Sequence, residues 1–310
     1  MTSLALGSFE TDLEGALALG GRALAWTESS ELPLLVSASL TARALVLGAL
    51  QREDTLRGRS PARFDAELAR RRSTGTEAQL DGAVLYHALT LPRVDALFGD
   101  ASARTLLNRN LRLLLRAYTK AGVPLRYFGT EVLALLGHPV ALVGYDQTAS
   151  GAILIEVLIG LESPCVVRPA LRREPPAALF TLLRRSPPAH ELLLSAVGGV
   201  RDTLGAATLE LVEALPPAPP APELRVAGPP ATVAIPLGVV EAVVEPAPRI
   251  TGDLLVGTSA LRRFEHAASL ALAGGHDLSG ELLTHLAGGP LDGARPPDLL
   301  QALQLARPRR

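Results

Sequence analysis

Arg70 to Pro92 reads RRRSTGTEAQLDGAVLYHALTLP, three arginines and a glycine turn placed directly before an apolar run. The run Ala83 to Leu91, AVLYHALTL, has strand length and reads as a buried strand. The turn before it has two readings. It can hold an anion with its arginines and backbone, or it only reverses the chain, since one glycine also fits an ordinary turn. Ser60 and Pro61 look like an N-cap and first-turn proline for a helix over 62–72. On that reading Arg70 to Arg72 form a solvated helix end, where cations favour the C-terminal dipole.

Working outward, Asp12 to Trp26 spaces Leu13, Leu17 and Leu19 for an amphipathic helix. Ser37 to Gln51 moves into ALVLGALQ, a buried strand ending at a glycine turn. Ser102 to Ala121 carries leucines at 106, 107, 111, 114 and 115 with arginines between them, a helix with one apolar face closed by Gly122 and Pro124. Strand candidates follow at Leu125 to Phe128, Val132 to Gly144 with a turn near Gly137–His138, and Ala152 to Gly160. Leu179 to Ala214 reads as helical after Pro175 to Ala177. Helices separating strands, with consecutive strands in the middle, predict an α/β (α+β) fold in which helices flank a mixed sheet.

PPAPPAPE, Pro216 to Glu223, is too rich in proline for helix and reads as an extended spacer. The organisation predicted is a main domain over 1–215, a proline-rich linker over 216–230 and a small accessory domain over 231–310. The last of these carries strands around Val239 to Val244, a turn with Arg249 and Gly252–Asp253, a helix Ser259 to Ala273, and a frayed tail.

The chain has 310 residues, 48% of them hydrophobic, enough for one sizeable core or two modest ones. A net charge of -1 and a pI near 6.6 recruit neither nucleic acid nor an anionic bilayer, so any anion site must be local. One cysteine, Cys165, excludes an internal disulfide and a cysteine-built zinc site and fits a reducing compartment. No His, Asp and Glu group has metal-ligand spacing, so no metal site is expected from the residues alone. The start lacks a basic segment and carries Glu10, Asp12 and Glu14, unlike a signal peptide, and the most apolar stretch is about ten residues, short of a span. A soluble, cytoplasmic monomer is expected.

Several stretches, read in order, resemble the lipoate–protein ligase and biotin–protein ligase family. Gly48 and Gln51 in ALVLGALQRED occupy the places of that family's early glycine and glutamine, and Arg71 to Thr76 resembles its loop of two arginines, any residue, serine or threonine, and two glycines. The helix running from Asn108 into AGVPLRYFGTEV is similar to the segment that ends in the family's leucine, glycine, valine turn and its following strand. His138 to Gly144 and Ser150 to Glu156 are similar to its paired middle strands, and Arg249 to Glu265 to the opening of the lipoate ligases' accessory domain. The resemblance covers most of the chain. It implies ATP, with Mg, activating lipoate or octanoate as an acyl-adenylate, then transfer to a lysine of a lipoyl-type carrier domain. It places the substrate and adenylate on Arg71, Arg72, Thr74, Gly75, Thr76, Ala141, Gly144 and Gly151.

Four polar positions depart from the family pattern. Ala141 stands where the family places the lysine that contacts carboxyl and phosphate, Thr76 replaces the second glycine, Thr130–Glu131 replaces asparagine-aspartate, and Ser150 replaces histidine. Losing a preorganised charge of that kind costs on the order of 100- to 1000-fold in rate. Two functions therefore stand side by side: an active ligase or acyltransferase, and a catalytically lapsed ligase-fold protein acting as a binding or scaffold partner. An unrelated α/β domain predicts no cleft between Arg72 and Gly144.

Other reactive residues have bland readings beside functional ones. Related octanoyltransferases use a cysteine nucleophile, but Cys165 has apolar neighbours and no nearby histidine or lysine in sequence, which suits core filler. His87 reads as an interior side chain and His138 as an exposed turn residue, while Asp146 reads as part of a hairpin connection, with Glu131 the other acid near the expected pocket. Gly252–Asp253 reads as a cap of the accessory domain's turn or helix.

Overall fold

The computed structural model describes residues 4–59, 66–129, 131–167, 174–204, 209–218, 224, 226, 228–286 and 291–307. In chain order the first unit contains β1 (Leu4–Glu10), α1 (Leu13–Ser30), β2 (Leu34–Leu47), α2 (Glu53–Arg59), β3 (Glu67–Arg70) and β4 (Ala78–Leu91). It continues with α3 (Leu106–Asn110), α4 (Arg112–Lys120), β5 (Arg126–Tyr127), β6 (Val132–Leu135), β7 (His138–Gln147), β8 (Ile153–Gly160), α5 (Leu179–Leu183), α6 (Ala189–Leu204) and β9 (Leu209–Leu211). The C-terminal unit holds β10 (Ala231–Ile235), β11 (Gly238–Val243), β12 (Arg249–Gly252), β13 (Leu255–Val256), α7 (Thr258–Ala273), β14 (Leu291–Asp292) and α8 (Pro296–Ala306).

Among the described residues the first unit is one nine-stranded mixed sheet, ordered β5-β6-β7-β8-β4-β2-β1-β9, with β3 beside β2. The apolar run that follows the glycine turn is β4, which pairs antiparallel with β2 from Val46↔Ala78 to Leu34↔Thr90 and with β8 from Val84↔Gly160 to Leu91↔Ile153. Strand alternation sends its side chains to two separate cores. One face packs Leu85 and Leu89 with Val143, Ile155 and the leucines of α3, α4 and α6. The other packs Val84, Tyr86 and Ala88 with Leu154, Leu158 and the apolar stripe of α1. The start of α1 is set by Asp12, whose side chain accepts from Gly15 N at 2.8 Å.

The predicted helix over 62–72 is not present at its described end. Glu67–Arg70 is a strand, parallel to β2 from Ala44↔Glu67 to Leu47↔Arg70, and residues 60–65 lie outside the described residues. Arg71 is accordingly not a solvated helix terminus; it is 1% exposed. The helix predicted to run to Ala214 ends at Leu204, and Leu209–Leu211 adds to the sheet edge parallel to β1. Much of the proline-rich spacer, 219–223, also lies outside the described residues, as do Thr130 and the last three positions of the tail. Its described beginning is pinned to α1, where Arg22 donates to the carbonyls of Leu215 and Pro216. The structure adds α2, α8 and β1 to the elements expected from sequence.

The C-terminal unit packs β10, β11 and β12 as an antiparallel sheet against α7 and α8. The two units exchange side chains: Leu50 of the first sits in the core of the second, and Leu237 and Leu255 of the second sit in the core around Val143. Among the described residues no helix is long and apolar enough to cross a membrane.

Candidate functional site

The face of the sheet toward α1 contains one glutamate in an otherwise apolar strand. Glu156 of β8 lies beside Ala88 of β4 and Gly144 of β7, and it is fully buried. A carboxylate there is costly unless it is paired. Its Oε1 accepts from the Tyr86 hydroxyl in a short hydrogen bond, and its Oε2 accepts from the backbone N–H of Ser73 at 2.8 Å. Gly20 of α1 makes the space: a Cβ there would stand 2.6 Å from Glu156 Oε1 and 2.8 Å from the Tyr86 hydroxyl.

The Ser73 amide reaches this carboxylate because the loop Arg71–Thr76 lies across β7. Thr74 N donates to Tyr145 O at 2.8 Å, and Ala49 N donates to Ser73 O at 2.9 Å. Gly75 takes φ 118°, a conformation that favours glycine. Gly144 lies directly under the loop, where a Cβ would strike Ser73 Oγ and come within 2.7 Å of Arg71 Nη1.

The three consecutive arginines have three different fates. Arg70 clamps the Gly48–Gln51 turn, donating from Nη1 to Gly48 O at 2.8 Å and Gln51 O at 2.7 Å. Arg71 folds under its own loop, with Nη2 on Thr76 O at 2.9 Å and Thr74 O at 3.3 Å. Its Nε and Nη1, and the nearby Ser73 Oγ, have no hydrogen-bond partner among the described residues. Burial lowers the Arg71 pKa, and the negative charge of Glu156 is the largest opposing influence. Burial, followed by the Glu156 charge, raises the Tyr86 pKa well above the ordinary tyrosine value. Arg72 lies against α1, where a Cβ on Gly21 would stand 3.5 Å from its Cδ. It lines a cleft of about 400 Å³ with Glu14, Leu17, Gly21 and Glu67, and its Nε is 4.0 Å from Asp146 Oδ2.

The C-terminal unit seals the loop from above. Thr74 Oγ1 bonds Tyr145 O at 2.7 Å and Val256 O at 2.9 Å while accepting from Val256 N at 3.0 Å. Gln51 Nε2 donates to Glu77 Oε2 at 2.7 Å and Asp253 Oδ1 at 2.6 Å, and Gly252 N donates to Leu50 O. Asp146 is not a hairpin connector: it is buried in β7 and accepts from Thr258 N and Oγ1 at 3.0 and 2.7 Å, capping α7 from the other unit. Asp253 ties Val239 N as well as Gln51, so it holds both a turn of its own unit and the joint.

Of the residues expected to form one site, Arg71, Thr74, Gly75, Thr76 and Gly144 come together. Ala141 does not join them. It is fully buried, three positions from Gly144 and so on the opposite face of β7, among Leu133, Val143 and Ile159. Gly151 lies in the β7–β8 hairpin, where its N–H bonds Thr148 O, and Ser150 Oγ donates to Glu28 of α1. Cys165 is buried with Sγ 3.4 Å from Val140 O and Leu158 O, and burial raises its pKa to about 11. His87 is an interior residue bonded to Ser37 Oγ and Tyr118 OH. His138 Nδ1 bonds Pro175 O.

Glu156, Tyr86 and Gly20 were not singled out from sequence as site residues. One signal was present: a glutamate inside AILIEVLIGL must find a partner if that run is a buried strand.

No family model matches the chain, and no curated protein is similar to it in sequence. Similarity to solved structures is found. P. falciparum LipL1, solved in complex with lipoate, superimposes with a TM-score of 0.55 at 10% identity, covering 85% of this chain and 88% of that one. The bipartite lipoate protein ligase of Thermoplasma acidophilum, solved in a study that includes its E2 lipoyl domain, gives 0.50 at 14% identity, covering 68% and 88%. The mixed sheet flanked by helices is therefore the fold of the lipoate ligases, at identities where shared fold is all that follows.

Proposed function

We propose that this chain is a lapsed member of the ligase fold, a binding or scaffold partner for a lipoyl-type carrier domain or its lipoyl or octanoyl group. The observation that carries this reading is that both backbone amides at Ser73 and Thr74, the Thr74 hydroxyl and one arm of the Arg71 guanidinium are spent within the protein. The Ser73 amide serves Glu156, the Thr74 amide and hydroxyl serve Tyr145 and Val256, and Arg71 Nη2 serves the loop carbonyls. An adenylating site needs such donors free and aimed at developing charge. With Ala141 on the far face, no lysine side chain supplements them from that position. LipL1 with lipoate and the archaeal ligase with its lipoyl domain support the choice of ligand and partner.

A second reading, an active ligase or acyltransferase using ATP and Mg, is favoured by one observation. Arg71 Nε and Nη1 and Ser73 Oγ are buried beside Gly144 without partners among the described residues. One experiment separates the two. The full chain is incubated with ATP, Mg²⁺, lipoate or octanoate and a lipoyl carrier domain, and AMP release, carrier mass and carrier binding are followed. Binding to the carrier without AMP release or mass gain is expected; an acylated carrier establishes the second reading, and neither binding nor acylation removes both.

A further inference from the structure

The Arg71 loop has the form of an anion holder, with a guanidinium, a backbone N–H and a hydroxyl gathered over a glycine. What stands in front of the backbone N–H is a side chain of the same molecule. Glu156 Oε2 takes the Ser73 amide at 2.8 Å and Oε1 takes the Tyr86 hydroxyl, so both carboxylate oxygens are engaged, while the carboxylate's charge counters the lowering of the Arg71 pKa by burial. A Cβ on Gly20 would obstruct the carboxylate, and glycine leaves the room. A carboxylate in the middle of β8 would be expelled from an apolar core by desolvation alone, so the loop is what retains it.

We propose that Glu156 is a built-in ligand: the chain's own carboxylate occupies the anion position of the Arg71 loop and excludes an external carboxylate from it. The ligand class is a carboxylate because the group there is planar, with one donor on each oxygen. The proposal concerns the loop alone and does not depend on whether the protein meets a carrier domain or an acyl group.

The test is chemical rescue in the full-length protein. Glu156→Ala vacates a space the size of an acetate ion between the Ser73 amide and the Tyr86 hydroxyl. Thermal and urea unfolding are measured in sodium acetate, in sodium phosphate and in sodium chloride at matched ionic strength. Glu156→Ala is expected to be less stable than wild type and to recover with acetate, its unfolding constant falling ~10-fold when acetate reaches about ten times its Kd. Wild type is expected to respond equally to the three salts, and Glu156→Ala/Arg71→Met to show no acetate-specific recovery. Equal recovery in chloride, recovery in phosphate but not acetate, or wild-type stability of Glu156→Ala each overturns the proposal. Should Glu156→Ala not fold, Glu156→Gln, which keeps the shape, is compared with Arg71→Met and the double variant. A coupling of more than ~10-fold in the unfolding constant supports the assignment, and additive effects overturn it.

Discussion

Gln51 and Asp253, 202 positions apart in sequence, are joined by a 2.6 Å hydrogen bond from Nε2 to Oδ1, and the same Nε2 donates to Glu77 Oε2 at 2.7 Å. One amide thus bridges two buried carboxylates across the seam between the two units, while its Oε1 accepts from Gly48 N. Gln51→Ala is expected to cost roughly 1–3 kcal/mol in urea unfolding, with amide exchange accelerating first along β12 and β13. Gln51→Glu is expected to cost more, because it adds a carboxylate beside two others. Its deficit should narrow as the pH is lowered and that group takes up a proton. A Gln51→Glu variant as stable as wild type at neutral pH would remove the seam's role.

Gly144 has no room for a methyl group beneath Ser73 and Arg71. Gly144→Ala is expected to lose about 1–3 kcal/mol through overpacking, read as a lower urea midpoint. Gly58, whose Cβ would meet nothing within 4 Å, is the control, and Gly58→Ala should be neutral or slightly stabilising.

Burial lowers the pKa of His87 from 6.5 to about 4, so the native ring stays neutral where the unfolded ring is protonated. Below the unfolded value the denatured chain binds the extra proton, so stability falls as the pH drops from 6.5 through about 4. The loss attributable to this one group is ~2–3 kcal/mol. Denaturant midpoints at pH 7 and pH 4 for wild type and His87→Gln test it: the variant should start less stable, having lost the Ser37 and Tyr118 contacts, and should fall less over that interval. Parallel pH profiles would exclude His87 as the titrating group.

Placing a lysine at position 141 is expected to damage the protein without producing adenylation. Ala141 faces Leu133, Val143 and Ile159 in a filled apolar core, so Ala141→Lys forces a long charged side chain among apolar neighbours. The expectation is a loss of several kcal/mol or failure to fold, and no gain in AMP release. A folded variant that forms acyl-adenylate would show that this face is the working one.

Local patterns made much of the fold readable. The apolar runs of β4, β7 and β8 and the leucine stripe before Gly122 are long and regular enough for their period to decide between strand and helix. The stretch before the arginines misled because Glu67, Leu68, Ala69 and Arg70 are good helix formers. Their strand is imposed by parallel pairing with Ala44 to Leu47, more than twenty positions away. Leu209–Leu211 misled in the same way, its state being decided by β1 at the other end of the chain.

The candidate site divides along the same line. Residue order alone carried the resemblance of Gly48, Gln51, two arginines, a glycine and a later Gly-Asp to the ligase pattern, because such motifs are local in sequence, and of that resemblance the fold is what the solved structures share. Only the tertiary structure decided what they touch. Pleat parity put Ala141 and Gly144 on opposite faces of β7, and packing of α1 at Gly20 cleared a place for Glu156 under the Ser73 amide. Insertion of β13 spent the hydroxyl of Thr74 on Val256. Hydrogen bonds and charge pairing act over a few ångströms of space, and the distance between two residues in space is set by every element folded between them.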